Sequence, residues 1–440
     1  MRNGLRAAAA FAVALIFTAP ALAMPVEKVT SPGGITAWLV RDTSVPVISV
    51  SFSFAAGAVM DPEGKEGRAE MVAGTMDEGA GELDSQAFQG KLEEISASLR
   101  FSAGRERFTG ALRTLSARRD EAFGLLRLAL TAPRFDEEPV GRIRAQLVSS
   151  LQRKAHDPDY IAGRAFIAAA FPDHPYGRPS DGTVESLARI TPDDLRGFVK
   201  KYLARDVLHI GVVGDITGDE LATRLDRVFG ALPEKAEPFA VSDVEPKGAG
   251  ERIVIERNIP QSVVMFGQKG LRRDDPDWYA AYVMNRILGG GGFSSRLTEE
   301  VREKRGLAYS VYSYLNPYEH SALIMGGTAT QNARVAESLR IIRAEWRRMA
   351  EEGVTEQELA RTKTYINGSF PLRLDSSRRI ASMLTTIQVE ELGIDYIERR
   401  PELIDKVTAA DVRRVAQRLL RDSELLVVVV GKPEGLASGQ

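Results

Sequence analysis

The chain lacks cysteine altogether and has only four histidines among its 440 residues. The absence of cysteine excludes disulfides, thiolate zinc sites, iron–sulfur clusters and a cysteine nucleophile. The histidines are His156, His174, His209 and His320. No two of them are three or four residues apart, so no helix can present a histidine pair to a metal. We expect His174, in a turn, and His209, in a strand, to be structural.

The chain also has no large excess of charge of either sign. The sequence has 58 basic and 60 acidic side chains, for a formal net charge of -2. This balance provides neither the basic surface that nucleic acid requires nor a polybasic arm for a membrane. We therefore expect no nucleic-acid partner.

Long apolar runs are absent except at the N-terminus. Residues 7–19 (AAAAFAVALIFTA) follow Arg2 and Arg6 and precede the small-residue site Ala21–Ala23. This pattern is typical of a cleaved secretory signal peptide over residues 1–23. The alternative, a membrane anchor, is disfavoured because the run falls short of the roughly 20 residues that span a bilayer. We expect a periplasmic mature chain that starts near Met24 and has no membrane anchor.

The sequence contains an internal repeat. Residues 190–214 (ITPDDLRGFVKKYLARDVLHIGVVG) match residues 407–431 (VTAADVRRVAQRLLRDSELLVVVVG) without a gap. Each copy predicts a threonine-capped amphipathic helix that leads into an apolar strand ending at glycine. A chance match of two short helix–strand units is the alternative.

The rest of the chain follows the same duplicated order. Strand-like segments at 45–54 and 261–270 precede helical patterns at about 66–95 and 277–305, and strand pairs at about 97–113 and 307–328 come next. This order predicts an α+β fold with two homologous domains, each an antiparallel sheet covered by helices. The predicted boundaries are 24–235 for the first domain, 236–250 for a Pro- and Gly-containing linker, and 251–440 for the second domain.

A glycine run lies in the second half, at Gly289, Gly290, Gly291 and Gly292. It is not typical of a phosphate-binding loop, because it follows a helix and no Lys-Ser or Lys-Thr comes after it. A tight connection between helices, with Ser294 or Ser295 capping the second one, is the favoured interpretation. A backbone patch that binds extended peptide is the weaker alternative.

Several of these segments resemble the pitrilysin (insulinase-type) zinc peptidases. They are LGGGGFSSRLTEEVREKRGLAYSVYSY at 288–314, FPDHPYG at 171–177, the Asp-Pro turn with GKEGRAE at 61–70, and both helix–strand repeats. The resemblance spans nearly the whole mature chain in the same order. It implies paired homologous α+β domains that form half of a clam-shell peptidase.

The zinc motif of that family is missing here. The family carries H-x-x-E-H on the first helix after the Asp-Pro turn, with two zinc-binding histidines and a glutamate that activates water. Glu70, Ala73 and Gly74 stand at those three positions. The third ligand should fall within 144–153, where no acidic residue occurs. We therefore expect no zinc in this chain and no peptidase activity from it alone.

A second catalytic element of the family is present. The resemblance assigns Arg302 and Tyr309, in VREKRGLAYSV, to the arginine and tyrosine that reach a substrate held at zinc. A permanently charged guanidinium fork and a phenolic donor suit a peptide carbonyl and the oxyanion that develops from it. We expect Gly306 to end the helix and Tyr309 to begin the next strand. Without the resemblance, an exposed arginine and an ordinary strand tyrosine would explain both residues.

These observations favour a non-catalytic partner subunit of a heteromeric, periplasmic zinc metallopeptidase. A homologous chain with an intact H-x-x-E-H motif would supply the zinc, and unfolded peptides would be the substrates. The alternative is a catalytically inert scaffold or binding protein of the same fold. Retention of Arg302 and Tyr309 favours the first interpretation.

Overall fold

The computed structural model describes residues 24–436, which form two β-sheets and a set of covering helices. In chain order the strands are β1 (Glu27–Thr30), β2 (Thr36–Arg41), β3 (Val47–Phe54), β4 (Ser98–Ala103), β5 (Phe108–Leu115), β6 (Leu208–Gly214), β7 (Arg252–Glu256), β8 (Gln261–Lys269), β9 (Ala308–Pro317), β10 (Ala322–Gln331) and β11 (Leu426–Gly431). The helices are α1 (Arg68–Thr75), α2 (Ser85–Glu94), α3 (Arg119–Thr131), α4 (Glu137–Lys154), α5 (Pro158–Ala170), α6 (Val184–Arg189), α7 (Pro192–Tyr202), α8 (Gly218–Phe229), α9 (Trp278–Asn285), α10 (Val335–Glu352), α11 (Glu356–Ser369), α12 (Ser377–Val389), α13 (Tyr396–Asp405) and α14 (Ala409–Leu419).

The two sheets share one topology. The first has the order β1-β2-β6-β3-β5-β4 and the second the order β7-β11-β8-β10-β9. In each sheet one strand pair is parallel, β2 with β6 and β7 with β11, and the other pairs are antiparallel. Strand β1 pairs only with β2 and has no counterpart in the second sheet. The predicted α+β class with two duplicated, helix-covered sheets is confirmed.

The repeat that suggested this duplication folds as predicted. Helix α7 begins after Thr191, and the Thr191 hydroxyl accepts the backbone N–H of Asp194 in a capping box. Helix α14 begins after Thr408 in the same way, with Asp411 as the reciprocal partner. Helix α7 leads into β6 and helix α14 leads into β11. Each of these strands is the inner member of the parallel pair of its sheet, so both copies occupy equivalent places.

The predicted helical stretches are shorter than expected. The pattern at 66–95 divides into α1 and α2, because the chain turns at Gly79 (φ 110°) and Asp84 then caps α2. The pattern at 277–305 divides into α9 and two short π-type turns, Arg286–Gly290 and Thr298–Glu303, on either side of the remaining glycines. Hydrophobic periodicity continued across both breaks and therefore concealed them.

Each sheet has a core on one face that is formed with helices from its own half. In β3, Ile48, Val50 and Phe52 face the first core, where they pack with α1, α3, α7 and α8. Trp346 of α10 is fully buried in the corresponding second core, with its ring edge-on to Phe266 of β8. Alternation along the strands places the intervening residues on the opposite face of each sheet.

The opposite faces are covered by helices that the two halves exchange. Helix α5 belongs to the first half but packs Phe166 against Val263 and Val428 of the second sheet. Helix α12 belongs to the second half but packs Leu384 against Val213 of the first sheet. Each half therefore buries an apolar face only with the help of the other.

The segment predicted to be a linker, 236–250, contains no helix or strand and runs between the halves. Its Val244 N–H donates to the His320 carbonyl (2.9 Å), and its Lys247 N–H donates to the Ala170 carbonyl (2.8 Å). It is thus held to both halves rather than hanging free. The domain boundaries at 235 and 251 stay a prediction, since the halves share cores.

No helix within residues 24–436 has both the length and the apolar character needed to cross a bilayer. The predicted signal peptide, residues 1–23, lies outside the described residues.

Candidate functional site

The residues at the zinc-motif positions lie on α1. Ala73 is buried in the first core. Gly74 faces α4 so closely that an added Cβ would lie 3.0 Å from the Ile143 side chain. Helix packing therefore occupies the places of the glutamate and the second histidine. Glu70 is half-buried, and burial together with the nearby Asp181 carboxylate raises its pKa, while Lys154 opposes the increase.

Glu70 faces a cavity in which Lys154 and Asp181 are paired, while Arg105 and Arg164 donate to backbone carbonyls. The Lys154 ammonium lies 3.0 Å from an Asp181 carboxylate oxygen, and the Tyr160 hydroxyl donates to both oxygens of Asp181 at 3.1 Å. Burial and the charge of Asp181 raise the pKa of Tyr160 to about 12. Within residues 24–436 no three His, Asp or Glu side chains converge as metal ligands would. These groups do not fit a zinc ion.

The segment where a third ligand was sought has a structural task. Arg144 on α4 donates to the carbonyls of Leu187 (3.1 Å) and Ile190 (2.8 Å) at the end of α6. Carbonyls at a helix end lack intrahelical partners, so a guanidinium is an effective cap there.

Arg302 and Tyr309 are brought together by a short helical segment and the start of an edge strand. Ser295 caps the segment by accepting the Thr298 N–H (3.4 Å), and Val301 anchors it in the second core. Gly306 (φ 58°) then reverses the chain, and Tyr309 follows at the start of β9. The predicted end of the helix at Gly306, the predicted cap and the place of Tyr309 are confirmed.

The guanidinium of Arg302 lies between two aromatic rings. Its Cζ is 4.6 Å from the centroid of the Phe293 ring and 4.9 Å from that of Tyr309. Both rings are strongly exposed, Phe293 at 73% and Tyr309 at 84%, whereas the Arg302 side chain is exposed at 28%. Sequence reasoning missed Phe293. An aromatic residue directly after the glycine run was the available signal.

Stacking leaves the hydrogen-bonding groups of this cluster free. Within the described part of the chain, Arg302 makes one ion pair, from Nε to Glu303 (3.3 Å). Its two Nη atoms and the Tyr309 hydroxyl have no partner among residues 24–436. The cluster thus presents a guanidinium fork and a phenol, held in place by cation–π contacts, to whatever approaches from solvent.

The four glycines differ in their surroundings. Gly289 and Gly291 are buried, Gly290 is half-buried and Gly292 is exposed. An added Cβ at Gly289 would lie 2.6 Å from the backbone nitrogen of Ser313 on β9, so close packing requires glycine there. Of the run, Gly292 lies beside Phe293 and is open to solvent. Peptide binding by this run stays a prediction.

The structure separates Tyr309 from the degenerate zinc position. From β9 the cavity at Glu70 is lined by Tyr314 and Asn316, not by Tyr309. Five residues of strand separate these two tyrosines by roughly 16 Å. Tyr309 therefore does not line the cavity that contains Glu70.

The histidines hold structure. His174 Nδ1 accepts the Tyr176 N–H (3.2 Å), and its Nε2 contacts the Ser242 carbonyl (3.0 Å). Burial lowers the pKa of His174, so the ring is neutral at neutral pH. His209 lies within β6, and burial lowers its pKa as well. His174 therefore holds the turn as predicted, and the predicted place of His209 in a strand is confirmed.

Comparison with known proteins places this geometry in context. Residues 189–366 match the family described as "Peptidase M16 inactive domain". The chain is 30% identical to the non-peptidase homologue YmxG of Helicobacter pylori, over 78% of each protein. It is 28% identical to an uncharacterised zinc protease of Streptomyces coelicolor, over 92% of this chain and 89% of that protein.

A solved structure has the same architecture. It is described as the peptidase M16 inactive domain from Pseudomonas fluorescens and superimposes with a TM-score of 0.88 at 27% identity. The match covers 94% of this chain and 100% of that one.

Proposed function

This chain belongs to the M16, or pitrilysin-like, peptidase family and lacks its zinc motif, and we propose that it is the non-catalytic subunit of a two-subunit metallopeptidase. The observation that carries the proposal is the Arg302–Tyr309 cluster. Stacking positions the Arg302 side chain, which is 28% exposed, and its Nη atoms and the exposed Tyr309 hydroxyl are unused within residues 24–436. A chain that had lost every catalytic task would have no reason to keep them so.

The chemistry assigned to this chain is binding and charge stabilisation. The Arg302 fork and the Tyr309 hydroxyl would donate to the carbonyl oxygen of a bound peptide. As water attacks that carbonyl, negative charge develops on the oxygen and both donors strengthen their hold. The metal and the base that activates water belong to the partner chain, a homologue with an intact H-x-x-E-H motif.

Action in trans is supported by the separation within this chain. Tyr309 lies roughly 16 Å along β9 from Tyr314, the nearer of the two β9 residues that line the Glu70 cavity. A second clam-shell half could bring its own zinc helix opposite the exposed Arg302–Tyr309 cluster. The substrates would be unfolded peptides, because a folded domain would not reach a site closed between two halves.

Reconstitution tests the proposal. The mature chain and the H-x-x-E-H homologue encoded by the same genome are purified separately and as a pair. Cleavage of an unfolded protein is then followed for each chain alone and for the pair. We expect cleavage by the pair, little by either chain alone, and co-purification of the two from the native host. A homologue that cleaves at full rate by itself would instead favour the inert-scaffold alternative.

Metal content is the second test. Because Glu70, Ala73 and Gly74 cannot replace two imidazoles and a base, we expect no stoichiometric zinc in this chain by elemental analysis. In the reconstituted pair, we expect about one zinc per pair. One tightly bound zinc in the isolated chain would contradict its assignment as the non-catalytic subunit.

We also propose that the pair works in the periplasm. The N-terminal pattern Arg2, Arg6, residues 7–19 and Ala21–Ala23 supports export with cleavage before Met24. Sequencing the N-terminus of native protein should give a start near Met24. A retained Met1 would contradict export by this route.

A further inference from the structure

The exchanged helix α12 leaves part of the first sheet uncovered. It packs on β6 and β3, while the outer strands β5 and β4 keep the same face open beside it. The result is a groove of about 800 Å³ between α12 and these strands. We call it the arginine groove after five of the residues that line it, which are Arg100, Arg107, Arg113, Arg378 and Arg379.

The groove carries positive charge that the protein does not neutralise. Among its lining residues Glu390 is the one acidic side chain. Two arginines are paired, Arg107 with Glu319 and Arg379 with Asp375 (2.6 Å). The other three are Arg100, Arg113 and Arg378. Their side chains are exposed and make no ion pair or hydrogen bond to any residue between 24 and 436. Asp77 is near enough to Arg100 for a coulombic interaction, but the two side chains form no ion pair.

Two of the unpaired arginines are forced together by the sheet. Arg113 on β5 lies opposite Ser98 on β4, and Arg100 lies opposite Ala111, two residues along each strand. Diagonal neighbours on one face of a sheet are roughly 7–8 Å apart, within reach of long side chains. Two guanidinium groups this close repel each other. A bound anion would relieve this repulsion.

Hydroxyl side chains also line the groove. Those of Ser98 on β4 and Ser382 on α12 have no partner among residues 24–436, whereas Ser102 and Thr109 bond to each other (2.7 Å) and Thr386 donates to the Ser382 carbonyl (3.0 Å). Arginine forks and hydroxyls donate to carboxylate oxygens in fixed directions. Phe101 is the one aromatic side chain in the lining, so the groove offers no series of rings on which nucleobases would stack.

We propose that the arginine groove binds acidic segments of extended peptides and so selects the substrates of the pair. This selection rests on the proposed function for its biological role, although the binding itself is a property of the isolated chain. The Arg302–Tyr309 cluster would then act on peptides whose glutamates and aspartates are held on the first sheet.

Peptide binding by the isolated mature chain tests the proposal. Fluorescence anisotropy at low salt would compare a short unstructured peptide rich in glutamate with the same peptide carrying glutamine instead, and with a lysine version. We expect the glutamate peptide to bind about tenfold more tightly than the glutamine peptide, and added salt to abolish the difference.

Matched variants locate the site. R100Q/R113Q should weaken binding of the glutamate peptide about tenfold, since two charge-assisted contacts are lost. R340Q/R361Q removes the same charge from exposed arginines outside the groove and should leave binding within about twofold of wild type. Unaltered circular dichroism in both variants would show that the fold is retained.

The outcomes separate the two proposals. Equal binding of both peptides, or equal loss in the two double variants, would overturn the groove assignment. A single-stranded oligothymidylate that binds the groove as tightly as the acidic peptide would also overturn it, as a general polyanion site. Selective peptide binding without cleavage by the reconstituted pair would leave the groove standing and remove the proposed function.

Discussion

At the residue scale, Arg302 shows how a half-buried guanidinium can be positioned while its Nη donors stay unpaired. Two rings, Phe293 and Tyr309, flank its guanidinium at 4.6 and 4.9 Å. Cation–π contacts restrict the rotamers of the long side chain, while the edges of the guanidinium stay open to a ligand. Less side-chain entropy is then lost when a substrate carbonyl binds.

Removal of either donor should slow the reconstituted pair. We expect Arg302→Ala and Tyr309→Phe each to lower kcat about a hundredfold, equivalent to about 3 kcal/mol of lost oxyanion stabilisation. Tyr365→Phe is the matched control. Tyr365, on α11, is also an exposed tyrosine, and its ring centroid lies 4.2 Å from Cζ of Arg286. Steady-state cleavage rates provide the measurement. Unchanged kcat and KM in both variants would leave the scaffold alternative, and a change in KM alone would indicate simple substrate holding.

A neighbouring ion pair fixes the segment that carries Arg302. The buried Arg296 donates to both oxygens of Glu358, at 2.7 and 2.9 Å, and to the Gly353 carbonyl. Burial alone would raise the pKa of Glu358, but the bonds from Arg296 and Thr355 outweigh it and lower the pKa to about 2.

This pair predicts a pH-dependent stability. A lowered folded-state pKa stabilises the fold fully above the ordinary value of 4.5, and that stabilisation is lost as the pH falls towards about 2. We expect Glu358→Gln to destabilise the protein by about 2 kcal/mol at pH 7, with a gap that narrows below pH 4.5. Urea unfolding of both proteins across this range is the measurement. A gap that widens on acidification would contradict the assignment.

At the element scale, the exchanged helices α5 and α12 determine which sheet faces are available. Helix α12 approaches β6 so closely that a Cβ at Gly211 would collide with the Ala381 carbonyl. The same helix forms one wall of the arginine groove. Helix α12 therefore both covers the first sheet and bounds the groove.

Truncation of the α12 contact should be costly. Leu384 is fully buried against the first sheet, and we expect Leu384→Ala to destabilise the protein by about 3 kcal/mol through lost burial and the cavity left behind. Ser382→Ala changes an exposed residue of the same helix and should be nearly neutral. Equilibrium unfolding of the three proteins decides. Equal stabilities would show that α12 is not needed to cover the sheet.

At the scale of the whole molecule, two homologous halves form one cooperative structure. Phe166 of α5 covers the face of the second sheet opposite its own core, and Leu384 of α12 covers the equivalent face of the first sheet. Each apolar face would be exposed to water if its half stood alone, at a cost of about 25 cal/mol for each Å².

Dissection of the chain should expose this dependence. We expect fragments 24–235 and 251–440 to be aggregated or unfolded when each is produced alone, because each lacks a covering helix. Co-produced fragments should associate into a complex with the circular dichroism of the intact chain. The control is the full chain, folded first and then cleaved within 236–250, and it should stay folded. Two separately stable, monomeric fragments would contradict the shared core.

Much of this architecture followed from the sequence. The repeat at 190–214 and 407–431, with its threonine caps and apolar strands, determined the duplicated α+β plan, since caps and strand alternation are local properties. The lack of cysteine and of paired histidines, with Glu70 and Ala73 in the motif positions, determined that no zinc motif is present. The family resemblance supplied Arg302 and Tyr309.

Only the tertiary structure decided how these parts meet. Exchange of α5 and α12, the stacking of Phe293 on Arg302, and the gathering of Arg100, Arg113 and Arg378 in one groove all join residues far apart in the chain or across a turn. An apolar helix face predicts that the face is buried but does not predict against which sheet. The partner sheet depends on how the whole chain packs. Because α12 covers only β6 and β3, the neighbouring face of β5 and β4 stays open and forms the arginine groove.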